Sequence, residues 1–421
     1  PQWSFTIHRV LDERAAAFMA LGIARAKAQP SVLLCTSGSA AANYFPAIVE
    51  ANYSEIPVVV LTADRPPELL NCGAPQTIDQ LNIFGNHARG CLNLGTPQIG
   101  GDSQWVLPQI HNFLNEQWKT LLGPVQINLP FRKPLWTCEA EEFVFEESSL
   151  PVAQSLLPSR IDLPEGQISR IAKYLGETER GCIVIGPRCN MQHFAEAEFS
   201  AAVADLGAAL GWPVIAEPAS GVRFAGEYQA AISMADGILR SKSVAEYLRP
   251  EFILRFGKFP TSKSIGNWLA AHSDVETIYA SESPRVQDPL RNVETSLLVS
   301  PTEFCHAIKD RLDSPQGNSL WLSLWEKAEL LAHNIVMQAC PLEDSLLWEG
   351  AISHHLANRL PKESALHLAS SMPIRDMDSF APTGSGDLMV YSSRGANGID
   401  GTIATALGEA LAYPMKAMTT L

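Results

Sequence analysis

The hydrophobic positions of the chain alternate between short apolar runs and longer segments with helical spacing. Residues 58–61 are apolar without an intervening polar side chain, which is the pattern of a parallel strand covered by helices on both faces. Residues 11–27 place apolar side chains at helical spacing behind Asp12, and aspartate is a preferred residue at a helix N-terminus. Repetition of the two patterns predicts an α/β protein with parallel sheets and right-handed crossovers.

The two patterns recur along the chain and predict most of its regular structure. Strands are predicted at 31–35, 57–61, 125–129, 182–185, 213–216, 252–256, 277–280, 365–370, 388–392 and 417–421. Helices are predicted at 11–27, 40–51, 105–122, 194–210, 342–360 and 402–412. Since strands and helices alternate throughout, the chain is expected to contain three α/β units in succession.

Changes of composition mark the boundaries of these units. A segment rich in glutamate and proline at 139–166 is predicted to be a linker between a first domain, 1–138, and a central domain, 167–313. A turn-forming stretch then precedes a tryptophan-bearing helical region at 314–341, and a third domain follows at 342–421. The first and third units are expected to be truncated.

Composition narrows the class of protein. The 421 residues carry a formal charge of −14, which disfavours binding to nucleic acid or to anionic lipid. No apolar run approaches the ~18 residues of a membrane span, so a membrane protein is not expected. The eight cysteines form no C-x-x-C pair and are predicted to be reduced, buried thiols of a cytosol-like compartment. No targeting segment is visible after Pro1.

The apolar run at 57–61 leads to a candidate anion site. Asp64 and Arg65 follow the run, and the two prolines behind them stop a strand from continuing. Ligands of parallel sheets bind beyond the carboxyl ends of the strands. Arg65 is therefore expected either to bind an anionic ligand, with Asp64 orienting it, or to form an ordinary ion pair with Asp64.

Three further cations are predicted at loop positions near strand ends: Lys263, Arg375 and Arg394. Arginine is suited to bidentate contact with carboxylates, so a substrate with several carboxylates would fit this set. Each cation taken alone is equally consistent with a surface ion pair.

Glu13 and a glycine-rich turn are the remaining candidates. Glu13 lies in the first turn of the predicted helix at 11–27, where it either complements the helix dipole or shares a proton with a ligand. Gly395, Gly398 and Gly401 follow a strand and precede a helix, which suits a phosphate-binding turn or a close-packed turn.

The sequence lacks the motifs of several classes of enzyme. The sequence contains no H-E-x-x-H and no G-x-S-x-G, which argues against zincin-type and serine hydrolases. It also lacks the G-x-G-x-x-G turn with its acidic ribose partner, which argues against a nicotinamide dehydrogenase.

Seven segments together resemble one family of enzymes. They are LDERAAAFMALGIAR, TSGSAAANYFPAIVEA, LTADRPPELLNCGAPQTIDQ, GPVQINLPFRKPL, FPTSK, SMPIRDMD and YSSRGANGIDGTIATALGEAL. In this order they resemble the SEPHCHC synthases (2-succinyl-5-enolpyruvyl-6-hydroxy-3-cyclohexene-1-carboxylate synthases) of menaquinone and phylloquinone biosynthesis. The resemblance implies a transferase that requires thiamine diphosphate and a divalent metal, Mg²⁺ or Mn²⁺. It also implies pyrimidine-binding, central and diphosphate-binding domains, a homodimer or homotetramer, and a bacterial cytoplasmic or plastid stromal location.

The implied reaction joins 2-oxoglutarate, after loss of carbon dioxide, to isochorismate. By resemblance Glu13 is the catalytic glutamate that hydrogen-bonds the aminopyrimidine of the cofactor, while Ile399 and Ser371 also contact the cofactor. Three residues are expected to hold the 2-oxoglutarate-derived intermediate: Ser371, Arg375 and Arg394. Three others are expected to contact isochorismate: Arg65, Gln76 and Lys263.

The resemblance also implies what the chain lacks. The magnesium-binding Gly-Asp motif of the family would begin just after Leu421, so no metal ligand is expected within these residues, and the 421 residues alone are expected to be inactive. Two alternatives stay open: an inactive remnant or fusion module of the family, and a different thiamine diphosphate decarboxylase or synthase.

Overall fold

A computed structural model describes residues 6–97, 105–133, 135, 163–188, 193–226, 230–313, 319–341, 348–383, 388–412 and 417–421. These residues form two compact units. Unit 1 comprises the described residues within Pro1–Pro158 and Arg394–Tyr413, and unit 2 comprises those within Ser159–Ser393 and Pro414–Leu421.

The helices and strands alternate along the chain as the hydrophobic pattern predicts. In chain order they are α1 (Glu13–Lys27), β1 (Ser31–Cys35), α2 (Ser39–Asn43), α3 (Phe45–Ser54), β2 (Val58–Asp64), β3 (Cys91–Asn93), α4 (Val106–Trp118), β4 (Val125–Pro130), α5 (Glu165–Glu177), β5 (Gly181–Ile185), α6 (His193–Leu210), β6 (Val214–Ala216), β7 (Ala231–Ile232), α7 (Ala235–Ile238), α8 (Lys242–Tyr247), β8 (Phe252–Phe256), α9 (Lys263–Ala271), β9 (Glu276–Ser281), β10 (Thr295–Leu298), α10 (Pro301–Lys309), α11 (Leu320–Ala339), α12 (Glu349–Arg359), β11 (Ser364–Leu368), α13 (Met372–Phe380), β12 (Leu388–Ser392), α14 (Thr402–Ala412) and β13 (Met418–Thr420).

Unit 1 is built on a four-stranded parallel sheet with the order β1-β2-β4-β3. The predicted strand end at residue 61 is wrong, because β2 continues to Asp64, which pairs with Pro130 of β4. The predicted helix at 40–51 is divided at Tyr44 into α2 and α3. The extended β2 brings Asp64, and with it the following Arg65, to the carboxyl edge of the sheet.

Helices α1 and α14 pack closely in unit 1 because each presents a glycine to the other. A Cβ placed on Gly22 would lie 2.0 Å from the carbonyl oxygen of Thr405, and one on Gly408 would lie 2.0 Å from that of Met19. Either side chain would force the two backbones apart. Arg25 and Glu409 form a buried ion pair at the same crossing.

Unit 2 contains two further parallel sheets. The six-stranded sheet has the order β10-β9-β8-β5-β6-β7, and the three-stranded sheet has the order β12-β11-β13. Trp212 is fully buried in the core beside the larger sheet, where the centroid of its ring lies 5.9 Å from that of Phe252. All paired strands of the described residues are parallel, which confirms the predicted α/β class.

A buried arginine links the segment after β6 to the end of helix α13. Arg223 donates from Nη1 to Oδ1 of Asp378 at 2.7 Å and from Nη2 to the carbonyl oxygens of Asp378 and Ala381. These carbonyls belong to the last turn and the C-cap of helix α13, where carbonyl groups have no N–H partner within the helix. The guanidinium of Arg223 supplies the missing hydrogen-bond donors. Burial raises the pKa of the Asp378 carboxyl to about 7, although the charge of Arg223 opposes that shift.

The predicted domain boundaries are not tested by the sheets and stay predictions. Three sheets are observed, but residues 394–412 group with unit 1, whereas β11, β12 and β13 belong to unit 2. Helix α5 begins at Glu165, inside the predicted linker at 139–166, and residues 136–162 lie outside the described residues. No helix of the described residues is long and apolar enough to cross a membrane.

The cysteines are less uniformly buried than predicted. Four of the six described thiols are buried, namely those of Cys35, Cys182, Cys305 and Cys340. Cys72 is exposed because it lies in the irregular segment between β2 and β3, and Cys91 is half-buried because it begins the edge strand β3. Cys138 and Cys189 lie outside the described residues.

Candidate active site

Glu13 begins helix α1 at the carboxyl end of β1. The Asp12 carboxylate caps the helix by accepting a 2.8 Å hydrogen bond from the backbone N–H of Ala15, as predicted. Glu13 is half-buried, and its negative charge acts on the side chains of Cys35 and Tyr44. Burial, with a smaller contribution from Glu13, raises the pKa of the Cys35 thiol to about 11. The Cys35 thiol on which the charge of Glu13 acts is therefore neutral.

The guanidinium of Arg65 contacts Gln76 and not the carboxylate of Asp64. Its Nη2 donates to Oε1 of Gln76 at 3.2 Å. The Asp64 carboxylate instead accepts from the backbone N–H of Arg65 at 2.7 Å and from Nδ2 of Asn128 at 2.8 Å. The expectation that Asp64 orients the guanidinium is thus wrong, whereas Arg65 and Gln76, both predicted to contact one substrate, lie together.

Gln76 also binds the turn that follows β1. Its Nε2 donates to Oγ1 of Thr36 and to the carbonyl oxygen of Ser37, each at 3.1 Å. The Ser37 hydroxyl returns a 3.0 Å hydrogen bond to the backbone carbonyl of Gln76. Because Glu13 acts on Cys35, the last residue of β1, the carboxyl end of this strand brings Glu13 and Gln76 into one neighbourhood.

A buried amide network lies beneath Arg65 and Gln76, and sequence reasoning missed it. Gln80, which is buried, accepts from the backbone N–H of Gly38 at 2.6 Å and donates to the carbonyl of Ala63 at 3.0 Å. Its Nε2 also donates to Asn128 in strand β4. One feature of the sequence indicates this network: two polar residues, Gln126 and Asn128, interrupt an otherwise apolar strand. Buried amides of this kind fix the loops that they join.

Lys263 and Arg375 line one cavity of about 1100 Å³ in unit 2. Lys263 is the first residue of α9, whose N-terminus is capped by Ser262, and Arg375 lies within α13. The prediction of loop positions for these two cations is therefore wrong. The segment before Arg375 forms a helix because Pro373 occupies its first turn, where proline is tolerated. Both side chains are exposed to solvent.

Ser371 precedes α13 at the same end of the helix. Its backbone carbonyl accepts a 3.0 Å hydrogen bond from Nη1 of Arg375. Both residues are exposed, and the structure brings these two candidates together.

Asp236 lies in the wall of this cavity and gathers polar groups from three elements. It accepts hydrogen bonds from Ser262 and Ser379, each at 2.7 Å, and pairs with Arg240 at 2.6 Å. Burial opposes ionisation, but these three partners lower the pKa of the Asp236 carboxyl below its usual value. The wall of the cavity is thus held by a charged cluster joining α7, α9 and α13.

The turn after Arg394 is close-packed. Gly395 and Ala396 donate their backbone N–H groups to the two carboxylate oxygens of Glu50, at 2.8 and 2.7 Å. A Cβ on Gly401, whose φ is +71°, would lie 2.1 Å from the ring of Phe18. Of the two readings of this turn, close packing is the one observed, since a carboxylate of the chain already occupies two of its donors.

Arg394 and Ile399, both candidates of this turn, differ in exposure. Arg394 is half-buried, whereas Ile399 has 66% of its surface exposed and so is not part of a core. The site residues therefore fall into two sets, Glu13, Arg65, Gln76, Arg394 and Ile399 in unit 1 and Lys263, Ser371 and Arg375 in unit 2.

A metal centre is not evident in the part of the chain that the structure describes. No three His, Cys, Asp or Glu side chains of those residues are grouped so that they could hold a metal ion.

Two family descriptions match the chain. "Thiamine pyrophosphate enzyme, N-terminal TPP binding domain" matches residues 2–83, and "Middle domain of thiamine pyrophosphate" matches residues 170–368. The first match contains Glu13, Arg65 and Gln76, and the second contains Lys263.

Curated relatives match nearly the whole chain. A protein of Geobacillus kaustophilus is 37% identical over 406 residues, which cover 96% of this chain and 68% of the relative. A protein of Chloroflexus aurantiacus is 38% identical, covering 94% and 67%. One of Myxococcus xanthus is 38% identical over 419 residues, covering 97% and 69%. All three bear the name 2-succinyl-5-enolpyruvyl-6-hydroxy-3-cyclohexene-1-carboxylate synthase.

Proposed function

Because the chain belongs to the 2-succinyl-5-enolpyruvyl-6-hydroxy-3-cyclohexene-1-carboxylate synthase family of thiamine diphosphate enzymes, we propose that it joins 2-oxoglutarate to isochorismate with loss of carbon dioxide. The product is the compound for which the family is named. The step belongs to menaquinone or phylloquinone biosynthesis.

The observation that carries this proposal is the cavity shared by Lys263 and Arg375. Its volume of about 1100 Å³ lies at the upper end of small-molecule sites, which suits two substrates of this size. Both substrates are dicarboxylates, and two exposed cations on the ends of rigid helices are suited to bind carboxylates. The net charge of −14 makes such local cations necessary for anionic substrates to approach.

Glu13 fits the role of a cofactor contact. Thiamine diphosphate supplies a thiazolium carbon that can add to a keto group and then stabilise the carbanion left by decarboxylation. The half-buried Glu13 carboxylate offers a hydrogen-bond acceptor for the aminopyrimidine. The Cys35 thiol on which its charge acts stays neutral, because burial raises the pKa of that thiol to about 11. Ile399 and Ser371 are proposed as further cofactor contacts, and Mg²⁺ or Mn²⁺ as the accompanying metal.

The substrate contacts divide between the two reactants. Arg65, Gln76 and Lys263 are assigned to isochorismate. Ser371, Arg375 and Arg394 are assigned to 2-oxoglutarate. The hydrogen bond between Arg65 and Gln76 supports a shared role for that pair, and the bond from Arg375 to the Ser371 carbonyl supports a shared role for the second pair. We further propose a homodimer or homotetramer located in the bacterial cytoplasm or the plastid stroma.

The full-length enzyme with thiamine diphosphate and Mg²⁺ tests the proposal. Carbon dioxide release and product formation should require 2-oxoglutarate together with isochorismate, and pyruvate should not replace 2-oxoglutarate. Arg65→Ala should raise the KM for isochorismate more than that for 2-oxoglutarate, and Arg375→Ala should do the reverse. Turnover of pyruvate would identify a different thiamine diphosphate enzyme, and no turnover with any 2-oxo acid would identify an inactive member.

A further inference from the structure

Glu50 is a buried carboxylate in helix α3 that the proposed reaction does not use. Its side chain is 4% exposed, and it accepts hydrogen bonds from Ser54, Gly395 and Ala396 at distances of 2.6 to 2.8 Å. Two of these donors are consecutive backbone N–H groups that directly follow Arg394. Hydrogen bonds to an ionised acceptor are about twice as strong as those between neutral groups.

We propose that Glu50 is a positioning residue for Arg394, and that it thereby sets the affinity for 2-oxoglutarate. The inference rests on the proposed function, in which Arg394 contacts that substrate. Because both carboxylate oxygens are used, the peptide planes after Arg394 are fixed in distance and in orientation relative to α3.

Close packing at Gly395 strengthens this assignment. A Cβ on Gly395 would lie 2.6 Å from the backbone oxygen of Glu50 and 2.9 Å from its Oε1. The turn can therefore approach α3 only because residue 395 has no side chain. Contact of this kind leaves little room for Arg394 to adopt a second backbone position.

The charges around Glu50 allow it to be neutralised without loss of the fold. Arg25 lies 3.0 Å from Glu409 and 3.6 Å from Glu50, so one buried cation faces two buried carboxylates. Glu50→Gln removes the excess negative charge and leaves the closer ion pair intact. Its amide group, however, offers one acceptor where the two backbone N–H groups need two, so one of them loses its partner.

Hydrogen exchange on the full-length protein tests the contact without any turnover. The amides of Gly395 and Ala396 should be protected in the wild type and should exchange about tenfold faster or more in Glu50→Gln, as expected for loss of a charge-assisted hydrogen bond. Exchange in the wild type at the rate of an exposed loop would overturn the proposal, even if the variant failed to fold.

Steady-state kinetics tests whether Glu50 sets the affinity for 2-oxoglutarate. Glu50→Gln should raise the KM for 2-oxoglutarate about tenfold while the KM for isochorismate changes less than about twofold. Glu50→Asp should lie between wild type and Glu50→Gln, and Ser54→Ala, which leaves both backbone contacts in place, should resemble wild type. Equal changes in both KM values, or no change in a folded Glu50→Gln, would refute a positioning role. A wild type that makes no product would instead refute the proposed function and leave the exchange result standing.

Discussion

Arg25 and Glu409 form a fully buried ion pair between helices α1 and α14, with Nη1 3.0 Å from Oε1 and side chains that are 1% and 0% exposed. The two residues are 384 positions apart in the sequence. Breaking a buried pair leaves an uncompensated charge, whereas exposed pairs contribute little.

Arg25→Met should therefore be among the most destabilising single changes in unit 1. It leaves the carboxylates of Glu50 and Glu409 buried without their cation, so the free energy of unfolding should fall by about 3–5 kcal/mol. Glu409→Gln should cost less, because Arg25 retains Glu50 at 3.6 Å. Urea unfolding of both variants gives the comparison, with Lys173→Met, in an exposed pair, as the control. A small effect of Arg25→Met would show that the pair is not closed in solution.

Gly22→Ala should separate α1 from α14. The new Cβ would lie 2.0 Å from the carbonyl oxygen of Thr405, and backbone cannot give way as a flexible side chain can. A loss of about 1–3 kcal/mol or more is expected from denaturant unfolding. Gly166→Ala is the matched control, since a Cβ on Gly166 in α5 meets nothing within 4 Å; it should leave stability unchanged or raise it by up to about 1 kcal/mol.

Gln80→Leu should disturb the contact between Arg65 and Gln76 by removing the buried amide that supports the neighbouring loops. It removes the acceptor for Gly38 and the donor for Ala63, so buried backbone groups lose partners at a cost of about 1–3 kcal/mol. The KM for isochorismate should rise in the full-length enzyme. Thr77→Val, in the same segment, leaves this network intact and should keep that KM. An unchanged KM in Gln80→Leu would separate the network from substrate binding.

His354 should make unit 2 less stable in acid. Burial lowers the pKa of this imidazole, whose Nδ1 lies 2.9 Å from the carbonyl oxygen of Phe380. A His with a lowered folded-state pKa contributes stability above its unfolded pKa of about 6.5, and that contribution is lost as the pH falls through the folded-state pKa. Between about pH 8 and about pH 5, the Tm of wild type should fall more than that of His354→Gln.

The control for this measurement is His306→Gln, which changes an exposed histidine of α10 and should keep the acid sensitivity of wild type. Parallel Tm curves for wild type and His354→Gln would mean that His354 does not titrate differently in the folded state.

The hydrophobic pattern predicted the bounds of three strands correctly. Strands β1, β8 and β12 have the bounds that the sequence predicts, because apolar runs between turn residues leave little choice. The three-residue edge strand β3 was missed, since Cys91 to Asn93 carries no repeating pattern. The predicted loop position of Arg375 is wrong because α13 begins directly after Ser371, and proline in a first turn is compatible with a helix.

Two pairs of the predicted site residues lie together, and their roles stay predictions. Arg65 and Gln76 meet each other, and Lys263 and Arg375 share a cavity. The supporting groups were not predictable, because the partner of Glu50 lies more than 340 positions away and no local pattern distinguishes a helix glutamate that binds backbone from one that faces water.

The crossing of α1 and α14 has a consequence for synthesis on the ribosome. The glycine-bearing face of α1 is synthesised well before the helix that covers it, because α14 is made only after the six-stranded sheet of unit 2 is complete at Leu298. Unit 1 therefore stays incomplete while the six-stranded sheet can already form, and the apolar surface around Phe18 stays open to chaperones or to the wrong partners until α14 is made. Its expression yield should depend more on what protects this nascent helix than on the stability of the finished protein.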